Sequence, residues 1–122
     1  MVVHAFEDGN KPAMVLIHGV LTPWQVWTPQ IEVFKEHYNI YSVALNAHTE
    51  NSESEFVSVS DEAEEITEYL LERKITAIEV LCGMSLGGKI AYEIIVLVEI
   101  AYTHRGTCFA PLSADALSDP SR

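Results

Sequence analysis

Apolar positions along this chain follow two periods, and their alternation lays out the elements. Val2–Phe6 reads as a strand closed by Glu7-Asp8-Gly9-Asn10, with Gly9 and Asn10 suited to positive φ. Ala13-Met14-Val15-Leu16-Ile17 is an unbroken apolar run, as expected of a parallel strand covered on both faces. Thr22-Pro23 then opens a predicted helix, Thr22 as N-cap and Pro23 at the first helical position. Trp24, Trp27, Ile31 and Phe34 share one face of it at spacings of three, four and three.

Asn39–Leu45 is the next predicted strand, and the polar residues Asn46–Glu55 form a loop. Ser58 or Ser60 caps a helix with the apolar stripe Ala63, Ile66, Tyr69 and Leu70. Its first turn is acidic and Arg73-Lys74 close it, as the helix dipole favours. Ile75–Cys82 holds a buried strand, and Leu86–Ala101 reads as a helix. The order strand, strand, helix, strand, helix, strand, helix predicts an α/β fold. Its sheet is mostly parallel and doubly wound, with flanking helices and right-handed crossovers. One more short strand is expected within Gly106–Pro111, and Leu112–Arg122 is expected to fray.

The junction at Cys82-Gly83-Met84-Ser85-Leu86-Gly87-Gly88 adds chemistry to this frame. Gly83-x-Ser85-x-Gly87 is the pattern of a nucleophile elbow, a serine on a strained turn between strand and helix. Its glycines let strand and helix pass closely, and the helix start favours a developing oxyanion. Three fixed residue types alone are a weak signal; the strand before and the helix after give this one its weight.

Composition narrows the partners. The 122 residues suffice for one domain, and a net charge of −11 argues against nucleic acid, whose phosphates demand a basic surface. Nine of the eighteen carboxylates lie between Glu50 and Glu72 with no Lys or Arg among them, which reads as a solvated helix face and its leading loop. Met1–Pro12 has no apolar signal segment, and the longest apolar run after Ser85, Ile94–Val98, is far short of a membrane span. A cytoplasmic location without membrane attachment is expected. Cys82 and Cys108 are too few and too far apart for a zinc site or disulfide framework, so no metal or other cofactor is expected.

With these motifs in place the sequence resembles the N-terminal half of an α/β-hydrolase. Three features coincide in order: a strand ending in His18-Gly19, a loop at Leu45-Asn46-Ala47-His48, and the elbow. The match covers about residues 2 to 97. The resemblance implies Ser85 as catalytic nucleophile and the backbone amides of Val20 and Leu86 as oxyanion hole. It implies structural roles for His18, Gly19, Gly83 and Gly87, and a small ester, thioester or amide as acyl substrate. Asn46-Ala47-His48-Thr49 departs from the Asp-x-x-Gly-His-Gly-like turn found at this loop in many of these hydrolases.

The resemblance also implies an acid and a histidine after the elbow. The chain offers only Glu93, Glu99, Asp115 and Asp119 as acids there and one histidine, His104, nineteen residues on at the far end of the predicted helix and more than about 20 Å from Ser85. A chain truncated before its relay, weakly active or inactive, is therefore expected, with residues 1–105 as the hydrolase-like core and 106–122 as a short strand or tail. The alternative is a non-catalytic binding module on the same scaffold. Trp24 and Trp27 either edge an apolar acyl pocket or pack their helix on the sheet, the second being favoured. With so little chain to cover it, the outer edge of the elbow strand is expected to expose unpaired backbone and to promote self-association.

Overall fold

The computed structural model describes residues 1–48 and 55–97, and the backbone of 101–110. Five strands form one sheet: β1 (Val2–Phe6), β2 (Ala13–Ile17), β3 (Asn39–Ala44), β4 (Ala77–Met84) and β5 (Ala101–Ala110), in the order β1-β3-β2-β4-β5. Only β1 runs antiparallel to its neighbour, β3; the other pairings are parallel. The expected α/β architecture with a mostly parallel sheet is what the chain adopts.

Three helices cross between the strands: α1 (Thr28–Phe34), α2 (Val59–Glu72) and α3 (Leu86–Leu97). Strand β2 shows why both sheet faces must be covered. Ala13, Val15 and Ile17 join the core under α2 and α3, with Ile66, Leu70, Ile90 and Ile94. Met14 and Leu16, alternating with them, pack with Trp27 and Ile31 on the opposite face. A strand buried on both sides has to read as continuous apolar sequence. Ser58 accepts a hydrogen bond from the Asp61 amide at 3.1 Å and caps α2, as its sequence signals.

Three expectations are corrected. The helix after β2 does not start at a Thr22 cap: Trp24–Trp27 form a 3-10 turn with Pro23 at its N-cap, and α1 follows. Thr22 instead turns its hydroxyl back onto the Gly19 carbonyl at 2.7 Å. Helix α3 is described over Leu86–Leu97 and Ala101, expected to close it, already belongs to β5, which is ten residues long rather than a short strand near its end. His104 therefore lies on a strand, not at a helix terminus.

The third correction concerns the sheet edge. Strand β5 pairs with β4 from Ala77 through Met84, so the elbow strand is interior and β5 is the edge on that side. The ladder has an irregularity between Ile78 and Val80, where four residues of β5 advance against two of β4. The predicted strand within Gly106–Pro111 is the C-terminal part of β5; the expected fraying of Leu112–Arg122 lies outside the described residues.

Leu81 is fully buried at the centre of this arrangement. Leu81→Ala is expected to lower unfolding stability by about 2–5 kcal/mol, read as a reduced denaturation midpoint at unchanged slope.

Candidate active site

The elbow forms where the sequence places it. Ser85 links the end of β4 to the start of α3 with φ of 56°, a left-handed conformation that a non-glycine residue holds only under constraint. The glycines supply that constraint by allowing backbone to pack on backbone. A Cβ on Gly83 would lie 2.2 Å from the Gly87 carbonyl oxygen, and one on Gly87 would lie 2.2 Å from the carbonyl oxygen of Ile17. Strand and helix thus touch through glycine, and the first turn of α3 sits directly on the end of β2. The Ser85 carbonyl accepts from the Gly88 amide at 2.9 Å, which starts the helix.

The loop leaving β2 is held from several sides. Gly19 approaches Ser85 closely: a Cβ placed on it would be 3.1 Å from the Met84 oxygen and 3.4 Å from Ser85 Cβ. The Gly19 carbonyl is gripped by three donors. These are Thr22 Oγ1 at 2.7 Å, the Thr22 amide at 3.4 Å and His18 Nδ1 at 2.7 Å. The turn carries Leu21 at φ of 59°, and the residue is 90% exposed, so packing does not hold it there.

His18 is fully buried, and its tautomer follows from its partners. The Leu45 amide donates to Nε2 at 3.1 Å, so the ring proton is on Nδ1 and is given to Gly19. Burial holds this imidazole below the usual histidine range; the Gly19 hydrogen bond opposes the shift, and nearby His48 adds to it. Both nitrogens are committed, so His18 works as a strut. Because carbonyl and amide of a trans peptide point opposite ways, fixing the Gly19 oxygen also fixes the Val20 N–H, which faces away from the His18 ring.

His48, in the loop after β3, bonds two backbone groups. Its Nε2 accepts from the Leu21 amide at 3.0 Å and its Nδ1 lies 3.1 Å from the Asn46 carbonyl. Asn46 in turn gives its amide to Glu62 Oε1 at 2.8 Å and its side-chain NH2 to Oε2 at 2.7 Å. Glu62 is 1% exposed, although the acidic run containing it reads as solvated. Burial pushes its carboxyl above the usual range, and the two Asn46 bonds pull it back. No sequence signal distinguishes this glutamate from its exposed neighbours.

Ser85, Val20 and Leu86 line one cavity of about 480 Å3 together with His48, Phe56 and Lys89. Leu86 is the first residue of α3, where an amide has no acceptor within the helix. Phe56 and Lys89 were not singled out from sequence. Trp24 and Trp27 do not line this cavity: Trp27 packs under the sheet and Trp24 stacks on His4 at a centroid distance of 3.9 Å. Among the described residues, no imidazole hydrogen-bonds the Ser85 hydroxyl, and no helix is long and apolar enough to cross a membrane.

No family model matches the chain. It is 41% identical over 49 residues to (E)-2-((N-methylformamido)methylene)succinate hydrolase of Acinetobacter baylyi, a stretch covering 40% of this chain and 19% of that one. To the pimeloyl-[acyl-carrier protein] methyl ester esterase of Nitrosomonas europaea it is 27% identical over 92 residues, 75% of this chain and 34% of the relative. The crystal structure of an alpha/beta hydrolase family protein from Desulfitobacterium hafniense superposes with a TM-score of 0.83 at 27% identity, over 88% of this chain and 43% of that one. The chain belongs to the α/β-hydrolase superfamily and carries part of its fold. It spans about a third or less of the length of these two curated relatives.

Two outcomes follow from this packing. Gly87→Ala is expected to destabilise the fold by more than about 3 kcal/mol, because the methyl meets backbone on the end of β2. The depressed His18 pKa contributes stability that is full above the ordinary histidine value and is lost as pH falls towards the folded one. Thermal midpoints measured from neutral to mildly acidic pH should therefore fall, and His18→Gln should flatten that part of the curve.

Proposed function

We propose that the cavity is the nucleophile half of a serine hydrolase site acting on small ester, thioester or amide substrates. The observation that carries this reading is the meeting of Ser85, on its positive-φ turn, with the β2 loop and the start of α3 at one cavity. Ser85 Oγ attacks the substrate carbonyl carbon, and the oxygen gains charge that the amides of Val20 and Leu86 receive. The leaving group departs with a proton, and water then cleaves the acyl-serine to a carboxylic acid and restores the hydroxyl. The hydrolase and esterase named above support the reaction class.

The reading places the proton relay outside the described residues. His18 and His48 each spend both ring nitrogens on backbone groups, which supports that assignment. Acylation without an efficient base gives weak turnover at most, since loss of a relay member costs about three to four orders of magnitude or more. Self-association belongs to the same reading, through the outer edge of β5 rather than that of β4; sedimentation that finds only monomer would contradict it.

A fluorophosphonate supplies the test, because it reacts with an activated serine without needing the second half of the cycle. One equivalent should add to the chain, at Ser85, and Ser85→Ala should abolish the addition. A cavity that binds acyl compounds yet leaves Ser85 unmodified would identify a binding module instead.

A further inference from the structure

Lys89 is the cation lining the Ser85 cavity, whose other lining residues are Val20, His48, Phe56, Ser85 and Leu86. It lies four residues beyond Ser85, with its amide 3.4 Å from the Ser85 carbonyl, and both residues line the same cavity at the start of α3. The side chain is exposed and makes no ion pair among the described residues. The three lysine and arginine side chains seen in ion pairs, Lys11, Lys35 and Arg73, all have acidic partners away from this cavity.

The setting makes this placement informative. The chain carries eighteen acidic residues against seven basic ones, so its overall field repels anions. An anionic substrate could approach only with a local positive charge at the site. His48 does not provide one, because its Nε2 accepts the Leu21 amide and leaves a single ring proton. Lys89 does, on a flexible stem whose methylenes can lie along an apolar acyl chain while the ammonium reaches past it.

We propose that Lys89 recognises a carboxylate on the substrate, and that the preferred substrates of the Ser85 site are acyl compounds bearing a second, free carboxylate. This rests on the serine-hydrolase reading above and narrows its substrate class. The scissile carbonyl sits at Ser85, and a short methylene chain carries the distal carboxylate along Leu86 to the Lys89 ammonium. Phe56 and Val20 flank the methylenes. Lys89 is a specificity residue here and takes no part in bond making. Its pairing is partly solvated, so the preference is moderate and depends on salt.

Two fluorophosphonates of equal chain length, one ending in a carboxylate and one in its methyl ester, test the inference by the ratio of their rates at Ser85. The carboxylate probe should react roughly five- to tenfold faster at low ionic strength, an advantage that shrinks at high salt. The ratio should fall to about one in Lys89→Gln, invert in Lys89→Glu and persist in Lys89→Arg. A ratio near one in the native chain, or one unchanged in Lys89→Gln, overturns the carboxylate assignment and leaves the serine chemistry standing. If neither probe modifies Ser85, the serine chemistry fails instead, and titration with monomethyl glutarate decides the anion site by NMR. A saturable shift of the Ser85 and Leu86 amide signals that is lost in Lys89→Gln upholds it, and no such shift overturns it.

Discussion

The contact between Gly87 and the carbonyls that end β2 ties the two halves of the site together. With no Cβ at Gly87, the first turn of α3 rests on the backbone of Ile17 and His18. That closeness brings the serine turn and the β2 loop into one cavity. A left-handed Ser85 costs on the order of 1–3 kcal/mol, which persists only because the surrounding backbone overdetermines it. Any side chain at Gly83 or Gly87 would push helix from strand and relax the turn.

A second layer of contacts fixes the direction of a single peptide. Three donors hold the Gly19 oxygen, so the Val20 amide in the same plane has one orientation. The donor from His18 is set in turn by the Leu45 amide at the end of β3. His48 holds Leu21 from the neighbouring loop, and Glu62 holds Asn46 beneath it. A buried carboxylate in α2 is thereby linked to the loop beside the serine through the Glu62 and His48 side chains, which hold Asn46 and the Leu21 amide. In the function proposed above, such a network would set the Val20 amide in place as an oxyanion donor before substrate arrives, the preorganisation that electrostatic catalysis requires.

The strands and the elbow were legible because their signals are local. Ala13–Ile17 is apolar throughout since both faces are covered, and Gly83-x-Ser85-x-Gly87 names residues whose backbone demands few others meet. The start of α2 was legible likewise, Ser58 being one of the two serines the sequence offered as its cap. Misreadings arose where tertiary contacts outweighed local pattern. Thr22-Pro23 looks like a helix start, but the Thr22 hydroxyl is drawn to the Gly19 carbonyl, and the chain spends one 3-10 turn before α1. The apolar residues after Ile94 continue a helical period, so the pattern could not show that Ala101 onwards pairs with β4. Glu62 and His48 were invisible for a related reason. Their partners are backbone amides of loops distant in sequence, and a spacing rule carries no information about those.

In the proposed function the amides of Val20 and Leu86 converge on the oxygen of a group bound to Ser85. Amide proton shifts of the phosphonylated chain, measured against the free chain by two-dimensional NMR, test it most directly. The account predicts that the Val20 and Leu86 amide protons both move strongly downfield as they donate to the phosphonyl oxygen, while that of Leu21, already bonded to His48, stays near its place. Adduct formation that leaves Val20 and Leu86 unmoved would contradict it.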